Sequence, residues 1–583
     1  MDQAQLRATV EAWGAGDPDP QTARELAQLV EDGQWRELAE RFAGSLEFGT
    51  AGLRGVLGAG SNRMNRAVVR RTTAGLARYL KAQVPDVTRR GVVVGRDGRR
   101  MSREFAQDTA GVLAAEGIPA YVFEDLAPTP LTAFAGLHLG AAAAVMITAS
   151  HNPPEYNGYK VYWENGAQII PPHDKGIAAA IDQVEPANQV PTLPEAEARA
   201  QGLWREVLPA VPQAYLQAIL GERLHRRAEP IRIVYSAMHG VGGRWMKEAL
   251  AQAGFQEVFV VAAQQEPDGA FPTVRFPNPE EPGAMDLSIA LAEAQRADLV
   301  LANDPDADRL AVMARAADGR LQMLSGNEIG VLLGHYVLTQ KQPRPARPLV
   351  VTTIVSSVQL LEIARDLGAL CGEVLTGFKW IANHALEREP KDGATFLMGY
   401  EEALGYTVGT VVRDKDGIGA GLVFADLAAW CHSRGTTVLG YLEEIQRQHG
   451  LFVGKQHNIT LPGTEGAATI RAIMENFRAR PPAEIGGLRV IGINDYLLGE
   501  GRSGGQVRPL TLPPSNVIAF LLQGGSRVTL RPSGTEPKIK YYFELREGVA
   551  AGEEMAAART RASGRLNTLE AQFLLLARQR GQP

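Results

Sequence analysis

One local design occurs at three well-separated places in this chain. In each, a run of apolar, β-branched residues ends in small or polar residues, and a helical pattern follows. Strands that alternate with helices in this way usually form mainly parallel sheets, whose binding loops lie at the carboxyl ends of the strands. The design therefore predicts successive α/β domains. It is found at Gly91–Arg100, Ile231–Gly243 and Arg347–Ser357.

The length of the chain requires several cores. With 583 residues and domains of ~100–200 residues, about three to five domains are expected. Proline-rich or polar stretches near 182–198 and 339–348 suggest boundaries. The last ~130 residues differ, because closely spaced strands precede a helix at about 552–579, which indicates an α+β domain. We expect a helical extension at 1–40, α/β domains at 41–220, 221–345 and 346–452, and the α+β domain at 453–583.

Charge and cysteine content exclude several classes of protein. A formal net charge of −5 gives no electrostatic reason to expect nucleic acid or an anionic membrane as a partner. The two cysteines, Cys371 and Cys431, form neither a disulfide framework nor a metal-binding spacing. No window reaches the ~18 apolar residues of a membrane span, and the first residues lack a signal pattern. A soluble, cytoplasmic protein is expected.

Three aspartates follow the strand-like run ADLVLA. If the loop NDPDADR is extended, Asp304, Asp306 and Asp308 project to one side, because side chains alternate along an extended chain. Carboxylates this close repel one another unless a cation joins them, and their hard oxygen atoms suit Mg²⁺. An EF-hand is excluded by Arg309 and Arg315, which replace its glycine and its glutamate. A solvated acidic turn is the alternative.

Ser150 lies where the apolar run AAAAVMI ends, within the stretch TASHNPPEYNGYK. Three carboxylates leave a hexacoordinate ion short of ligands, so a phosphate on this serine could complete the site, although the local sequence alone favours an unmodified turn serine. No GxSxG elbow surrounds Ser150. His151 is its neighbour, so in an extended segment the two side chains diverge, which argues against a simple Ser–His acyl-transfer site.

A third polar segment, RPSGTEPKIK, has the composition of a phosphate cradle. A guanidinium fork, two hydroxyls, a glycine that lets backbone amides approach an anion, and ammonium groups lie close together in it. A polar hairpin turn is the alternative, and no Walker-type P-loop occurs in the chain. The residues are Arg531, Ser533, Gly534, Thr535, Lys538 and Lys540.

Taken in order, TASHNP, DPDADR, GYEEALGY and RPSGTEPK resemble the motifs of the α-D-phosphohexomutase superfamily. This superfamily contains phosphoglucomutases, phosphomannomutases and a phosphopentomutase-like branch, and the resemblance covers roughly residues 45–545. It implies four domains around a central cleft, three of them α/β with mixed or parallel sheets. It also implies a phosphoserine enzyme that uses Mg²⁺ and acts on small-molecule sugar phosphates.

The resemblance assigns roles to residues that match the motifs. Ser150 is implied to carry the transferable phosphoryl group, and a phosphate oxygen on it would join the three aspartates on the metal. Further roles are implied for the acid/base candidates Lys160 and His151 and for the active-site arginines Arg309 and Arg54. On the substrate side the implied residues are Thr376, Gly377, Glu401, Lys415 and the RPSGT residues.

Ala403 departs from the hexose pattern. Superfamily members often have Glu-x-Ser in the sugar loop, whereas here Ala403 is the second residue after Glu401, so one hydroxyl is missing. We expect interconversion of glucose 1-phosphate and glucose 6-phosphate, with glucose 1,6-bisphosphate as intermediate and activator. Phosphopentomutase and phosphomannomutase activities are the alternatives of the same class. A phosphatase and a non-catalytic sugar-phosphate-binding protein are the alternatives of other classes.

Overall fold

The computed structural model describes residues 2–49, 52–226, 229–533 and 538–581. The chain begins with three helices, which enclose a small apolar cluster that includes Leu26 and Leu38. Asp2 begins the first helix with a capping box, in which its side chain accepts from the backbone of Gln5, as helix N-termini require. The helices are α1 (Gln3–Ala15), α2 (Pro20–Glu31) and α3 (Trp35–Arg41).

The first sheet has six strands with helices packed on it. Its elements are β1 (Leu53–Val56), α4 (Arg66–Gln83), α5 (Val87–Arg90), β2 (Val92–Arg96), α6 (Ser102–Ala115), β3 (Ala120–Val122), α7 (Thr129–His138), β4 (Ala143–Ile147), β5 (Tyr156–Trp163), α8 (His173–Asp182), α9 (Glu195–Ala200), β6 (Trp204–Glu206) and α10 (Ala210–Gly221). The strand order is β1-β5-β4-β2-β3-β6. Its central strands are parallel, while β5 and β1 add antiparallel pairs at one edge.

Two further mixed sheets follow. The second contains β7 (Ile233–Ser236), α11 (Gly242–Gln252), β8 (Val258–Val260), α12 (Asp286–Gln295), β9 (Leu299–Ala302), β10 (Ala311–Arg315) and β11 (Leu321–Met323). The third is built with α13 (Gly326–Gln340), β12 (Pro348–Thr353), α14 (Gln359–Asp366), β13 (Leu370–Val374), α15 (Phe378–Asp392), β14 (Thr395–Glu401), β15 (Gly405–Val408), α16 (Gly417–Ser433) and α17 (Val438–His449). Their strand orders are β11-β10-β9-β7-β8 and β13-β12-β14-β15.

The C-terminal sheet is antiparallel throughout its described pairs. Its elements are β16 (Leu451–Thr460), α18 (Gly463–Ala479), β17 (Glu484–Ile485), β18 (Leu488–Asp495), β19 (Glu500–Ser503), β20 (Gln506–Pro509), β21 (Ile518–Leu522), β22 (Arg527–Pro532), β23 (Lys538–Glu547) and α19 (Met555–Arg580). The order is β16-β23-β22-β21-β18-β19-β20, and β17 pairs with β18. The predicted fold class, three mixed-sheet α/β domains and an α+β domain, is confirmed.

Burial explains why the strand runs are continuously apolar. Every residue of β4 and of β9 is buried, as expected for central strands covered on both faces. Helix α16 is buried along most of its length and belongs to one large core that joins the second and third sheets. Among the described residues, no helix combines the length and apolarity that crossing a membrane requires. The loops that end β4, β9 and β14 carry the polar residues considered next.

Candidate functional site

Ser150 stands in a tight turn after β4 and is 2% exposed. Its φ of +54° is left-handed, an uncommon conformation for a residue with a Cβ, and its N–H donates to Thr148 Oγ1 at 2.8 Å. Its hydroxyl donates to Asp304 Oδ2 at 2.8 Å and lies 3.3 Å from His151 Nδ1. The expected divergence of the Ser150 and His151 side chains is therefore wrong, because the segment turns instead of extending.

The aspartate loop is also a turn. Ala307 has a φ of +57°, and its N–H donates to the carbonyl of Asp304 at 2.9 Å. Oxygen atoms of Asp304, Asp306 and Asp308 nevertheless all lie within 4.8 Å of one another, so the carboxylates converge as predicted, though not by extended alternation. Asp306 Oδ1 and Asp308 Oδ1 are buried and have no hydrogen-bond partner among the described residues. Three buried carboxylates with two free oxygen atoms fit Mg²⁺.

Lys160 supplies a positive charge to the same cluster. Its Nζ donates to Asp306 Oδ2 at 2.7 Å and to Asp308 Oδ2 at 2.9 Å. Burial disfavours both charged forms, but the ion pairs outweigh it, so the pKa of Asp306 falls and the pKa of Lys160 rises. Asp304 makes no bond to Lys160, and burial together with its two neighbouring carboxylates raises its pKa, which the charge of Arg309 offsets only in part. A further cation near Asp304 would therefore stabilise the cluster.

The two arginines and the histidine surround the serine. Arg54 Nη1 donates to Asn152 Oδ1 at 3.0 Å in the serine loop. The N–H of Arg309 donates to Asp304 Oδ1 at 3.0 Å, and its Nε lies 4.0 Å from Asp304 Oδ2. Burial and the charges of Arg309 and Arg54 lower the pKa of His151, so its imidazole is neutral near pH 7. Such positive charge suits a phosphorylated serine.

The sugar-loop residues come together at the end of β14. Glu401 Oε1 accepts from the N–H of Gly377 at 2.6 Å, where a φ of +111° favours glycine. Lys415 Nζ lies 3.4 Å from Asp308 Oδ2, so it connects this loop with the aspartate loop. Thr376 directly precedes Gly377, and Ala403 follows Glu401 in the turn before β15. Of the sequence-predicted sugar residues, Lys415 therefore lies beside the aspartate cluster, and Glu401 contacts Gly377.

The described part of the RPSGT segment forms adjoining strand ends. Arg531 in β22 is paired with Lys540 in β23, and the N–H of Ser533 donates to the carbonyl of Lys538 at 2.7 Å. Burial, then the charges of Arg531 and Lys538, lower the pKa of Lys540. A concentration of cations that depresses a lysine pKa favours an anionic ligand. The predicted residues Gly534 and Thr535 lie outside the described residues.

Sequence reasoning missed three polar residues in this region. Thr129 Oγ1 donates to Asp306 Oδ2 at 2.6 Å, and its N–H donates to the Asp306 carbonyl at 2.9 Å. Asp414 accepts from Lys415 and from Tyr162, the latter at 2.7 Å. Lys379, next to the sugar loop, has a pKa lowered to about 8 by burial. Lys379 and Asp414 carried a signal, since each lies close in sequence to a predicted sugar residue, Gly377 or Lys415.

Four domain families match the chain in order. They are the phosphoglucomutase/phosphomannomutase alpha/beta/alpha domains I, II and III and the C-terminal domain of the same family. The matched residues are 45–188, 213–319, 325–447 and 461–562. These ranges together cover more than half of the chain.

Curated relatives resemble the chain over most of its length. A human phosphopentomutase is 37% identical over 568 residues, which are 93% of this chain and 92% of the relative. A probable phosphomannomutase from Haemophilus influenzae is 40% identical over 490 residues, 83% and 93% of the two chains. A mouse glucose 1,6-bisphosphate synthase is 36% identical over 566 residues, which are 93% of this chain and 90% of the relative.

Solved structures share the fold. The crystal structure of a putative phosphomannomutase from Thermus thermophilus superimposes with a TM-score of 0.65 at 23% identity, covering 90% of this chain and 99% of that chain. A phosphoglucomutase from Paramecium in its open form also reaches 0.65, at 18% identity, over 93% and 95% of the two chains. The four-domain architecture is therefore an established one.

Proposed function

The chain belongs to the phosphoglucomutase/phosphomannomutase family of phosphosugar mutases, and we propose that it moves a phosphoryl group between the first and the terminal carbon of pentose and glucose monophosphates. The observation that carries the proposal is the position of Ser150. Its buried Oγ lies 2.8 Å from Asp304 Oδ2, beside three carboxylates, a lysine and a neutral histidine.

In the proposed resting enzyme, Ser150 is phosphorylated. Asp304, Asp306 and Asp308, with one oxygen of this phosphate, would hold Mg²⁺, which supplies charge neutralisation for phosphoryl transfer. The buried position of Ser150 protects the phosphoryl group from water, which would otherwise hydrolyse it. The chain's own task is then to place an attacking hydroxyl in line with the phosphorus atom.

The residues around Ser150 have separate roles in this placement. Lys160 Nζ is bound to two of the aspartates, so we assign it the role of a fixed charge beside the transferring group. His151 has a ring nitrogen 3.3 Å from Ser150 Oγ, the atom that carries the phosphoryl group in this proposal, and we assign it the role of general base. Arg309 and Arg54 add positive charge on the open side of the cluster.

Transfer to the sugar gives a bisphosphorylated intermediate, which is glucose 1,6-bisphosphate when the substrate is a glucose phosphate. The intermediate must turn over so that its other phosphate faces Ser150. Arg531 and Lys540 would hold whichever phosphate is distal, and Glu401 would accept hydrogen bonds from the sugar hydroxyls in both orientations. The second transfer returns a phosphoryl group to Ser150 and releases the isomeric monophosphate.

We propose pentose 1-phosphates as the preferred substrates, ahead of glucose 1-phosphate. The sequence alone favours glucose 1-phosphate. Ala403 has no hydroxyl, so the loop offers a hexose ring one contact fewer. Phosphopentomutases from human and mouse are 37% and 36% identical to the chain over 93% of its length. Glucose phosphate stays the second candidate, because glucose 1,6-bisphosphate synthases are similar over the same share of the chain.

The test is a substrate panel. The purified protein with Mg²⁺ is assayed on ribose, deoxyribose, glucose and mannose 1-phosphates, each with its catalytic bisphosphate. Pentose 1-phosphates should give the largest kcat/KM, glucose 1-phosphate a smaller value and mannose 1-phosphate the smallest. A glucose preference of tenfold or more would overturn the order of substrates. Release of inorganic phosphate instead of isomerisation would indicate a phosphatase, and no turnover at all would indicate a binding protein.

A further inference from the structure

Arg99 contacts the loop that carries Ser150. It follows β2 and is buried, with 4% of its surface exposed. Its Nη1 donates to the carbonyls of Pro153 at 2.8 Å and Tyr156 at 3.2 Å, and its Nη2 donates to the carbonyls of Ser150 and Asn152. One guanidinium therefore binds four carbonyl oxygens of a single loop.

Arg99 contacts residues of two domains. Its backbone N–H donates to Asp97 Oδ1 at 3.0 Å, and its guanidinium Nε lies 3.3 Å from Asp97 Oδ2. Asp97 also accepts from Ser102 Oγ at 2.7 Å, which fixes the carboxylate. On the other side, the ring of Phe271, from the domain that carries the aspartates, lies with its centroid 4.9 Å from Arg99 Cζ. These contacts leave the side chain little freedom.

The serine loop needs such support because its backbone is unusual. Ser150 has a φ of +54°, which residues with a Cβ seldom adopt unless their surroundings impose it. Between β4 and β5 the chain turns, so the carbonyls of Ser150 and Asn152 take no part in the sheet ladder. Buried carbonyl groups need donors, and Arg99 supplies them to Ser150 and Asn152.

We propose that Arg99 is a positioning residue for Ser150, which holds the serine loop in the conformation that presents Oγ to the aspartate cluster. This inference rests on the proposed phosphoserine mechanism. A lysine cannot replace Arg99, because three donors on one nitrogen atom cannot reproduce a planar fork that reaches four carbonyls. Arg99 touches no substrate in this mechanism and acts only through the loop.

The kinetic test compares Arg99→Lys with Arg100→Lys. Arg100 is the matched control, since it is exposed, lies in the same loop and makes one bond to the same segment, from Nη2 to the Pro154 carbonyl at 3.1 Å. Misplacing the nucleophile should lower kcat of Arg99→Lys about 10²-fold while KM changes by less than about threefold, because the distal phosphate site is untouched. Arg100→Lys should keep the parent values.

A second measurement does not depend on activity. Hydrogen–deuterium exchange of peptides covering residues 148–157 should be faster in Arg99→Lys than in the parent and in Arg100→Lys, with unchanged exchange in the C-terminal sheet. Phe271→Leu, which removes only the aromatic cover, should change exchange and kcat in the same direction by less. If Arg99→Lys does not fold, Phe271→Leu takes its place as the test variant.

The outcomes separate the two proposals. Unchanged exchange of the loop in Arg99→Lys, or a kcat within about threefold of the parent, would overturn the role of Arg99. A parent protein without mutase activity, but with faster loop exchange in Arg99→Lys, would overturn the proposed function while leaving Arg99 as the residue that orders the loop. Equal losses in Arg99→Lys and Arg100→Lys would show that the loop is sensitive to the loss of either guanidinium group, and would also refute the assignment.

Discussion

The two halves of the candidate site are built differently. On the side of the first two domains, Ser150 and the three aspartates are at most 2% exposed and are joined by direct hydrogen bonds from Thr129 and Lys160. On the side of the last two domains, Glu401 and Arg531 are only partly buried. In the proposed mechanism, phosphoryl transfer is the same for every sugar, so its groups can be fixed in advance, whereas recognition must accommodate two orientations of the substrate.

Substitution of the serine should have the largest effect and should leave the fold unchanged. Ser150→Ala removes the proposed nucleophile and one hydrogen bond to Asp304, so mutase turnover should be abolished while the melting temperature stays near that of the parent. Coupled steady-state assays check this, with the exposed Ser503→Ala as control. We call Ser150 and the three aspartates the fixed half of the site. If Ser150→Ala retained full turnover, this fixed half would have no chemical role.

Removal of one carboxylate should be the next largest effect. Asp306→Asn should lower kcat about 10²-fold or more and shift the Mg²⁺ concentration needed for half-maximal activity upward, because it weakens both metal binding and charge neutralisation. The measurement is a Mg²⁺ titration of parent and variant, with the exposed Asp318→Asn of the same domain as control. Undiminished activity of the parent protein in excess chelator would contradict the metal site.

The lowered pKa of Lys379 should make substrate recognition sensitive to pH. Burial lowers this pKa from 10.5 to about 8, so in the free protein the ammonium that favours an anionic substrate is present below about pH 8 and lost above it. Between pH 7 and 9, kcat/KM should fall about tenfold, the value of one charge-assisted hydrogen bond. Lys379→Arg should remove this fall, whereas the exposed Lys391→Arg on the same helix should keep it. An identical pH profile for Lys379→Arg and the parent would exclude the role.

The smallest effect is expected at the missing hydroxyl. Ala403→Ser would add one neutral hydrogen bond to the sugar loop, so the glucose-to-pentose ratio of kcat/KM should rise by about twofold to tenfold. Both kcat values should stay close to those of the parent, because the fixed half is untouched. A ratio that does not change would remove Ala403 from the explanation of sugar choice.

The sequence predicted the fold more completely than the geometry of the site. Apolar, β-branched runs located β2, β7 and β12, because central strands must be apolar on both faces. The spacing of three aspartates predicted their convergence, but the left-handed backbone at Ser150 and Ala307 had no local signal, since neither residue is glycine.

Contacts between distant residues were beyond sequence reasoning. Thr129 meets Asp306 only because α7 of the first domain abuts the aspartate loop of the second. Arg99 likewise meets the serine loop through the packing of β2 beside β4. A threonine after a proline and an arginine in a polar turn are common at surfaces, so nothing in their local sequence distinguished them.

The central claim is that Ser150 carries the transferable phosphoryl group, and peptide mass spectrometry tests it most directly. The parent protein and Ser150→Ala are incubated with Mg²⁺ and glucose 1,6-bisphosphate, digested, and examined for phosphate within residues 148–160. The account predicts one phosphate on Ser150 in the parent, which passes to added sugar monophosphate to form the bisphosphate, and none in the variant. An active parent protein without phosphate on Ser150, or with the phosphate on another residue, would contradict the account.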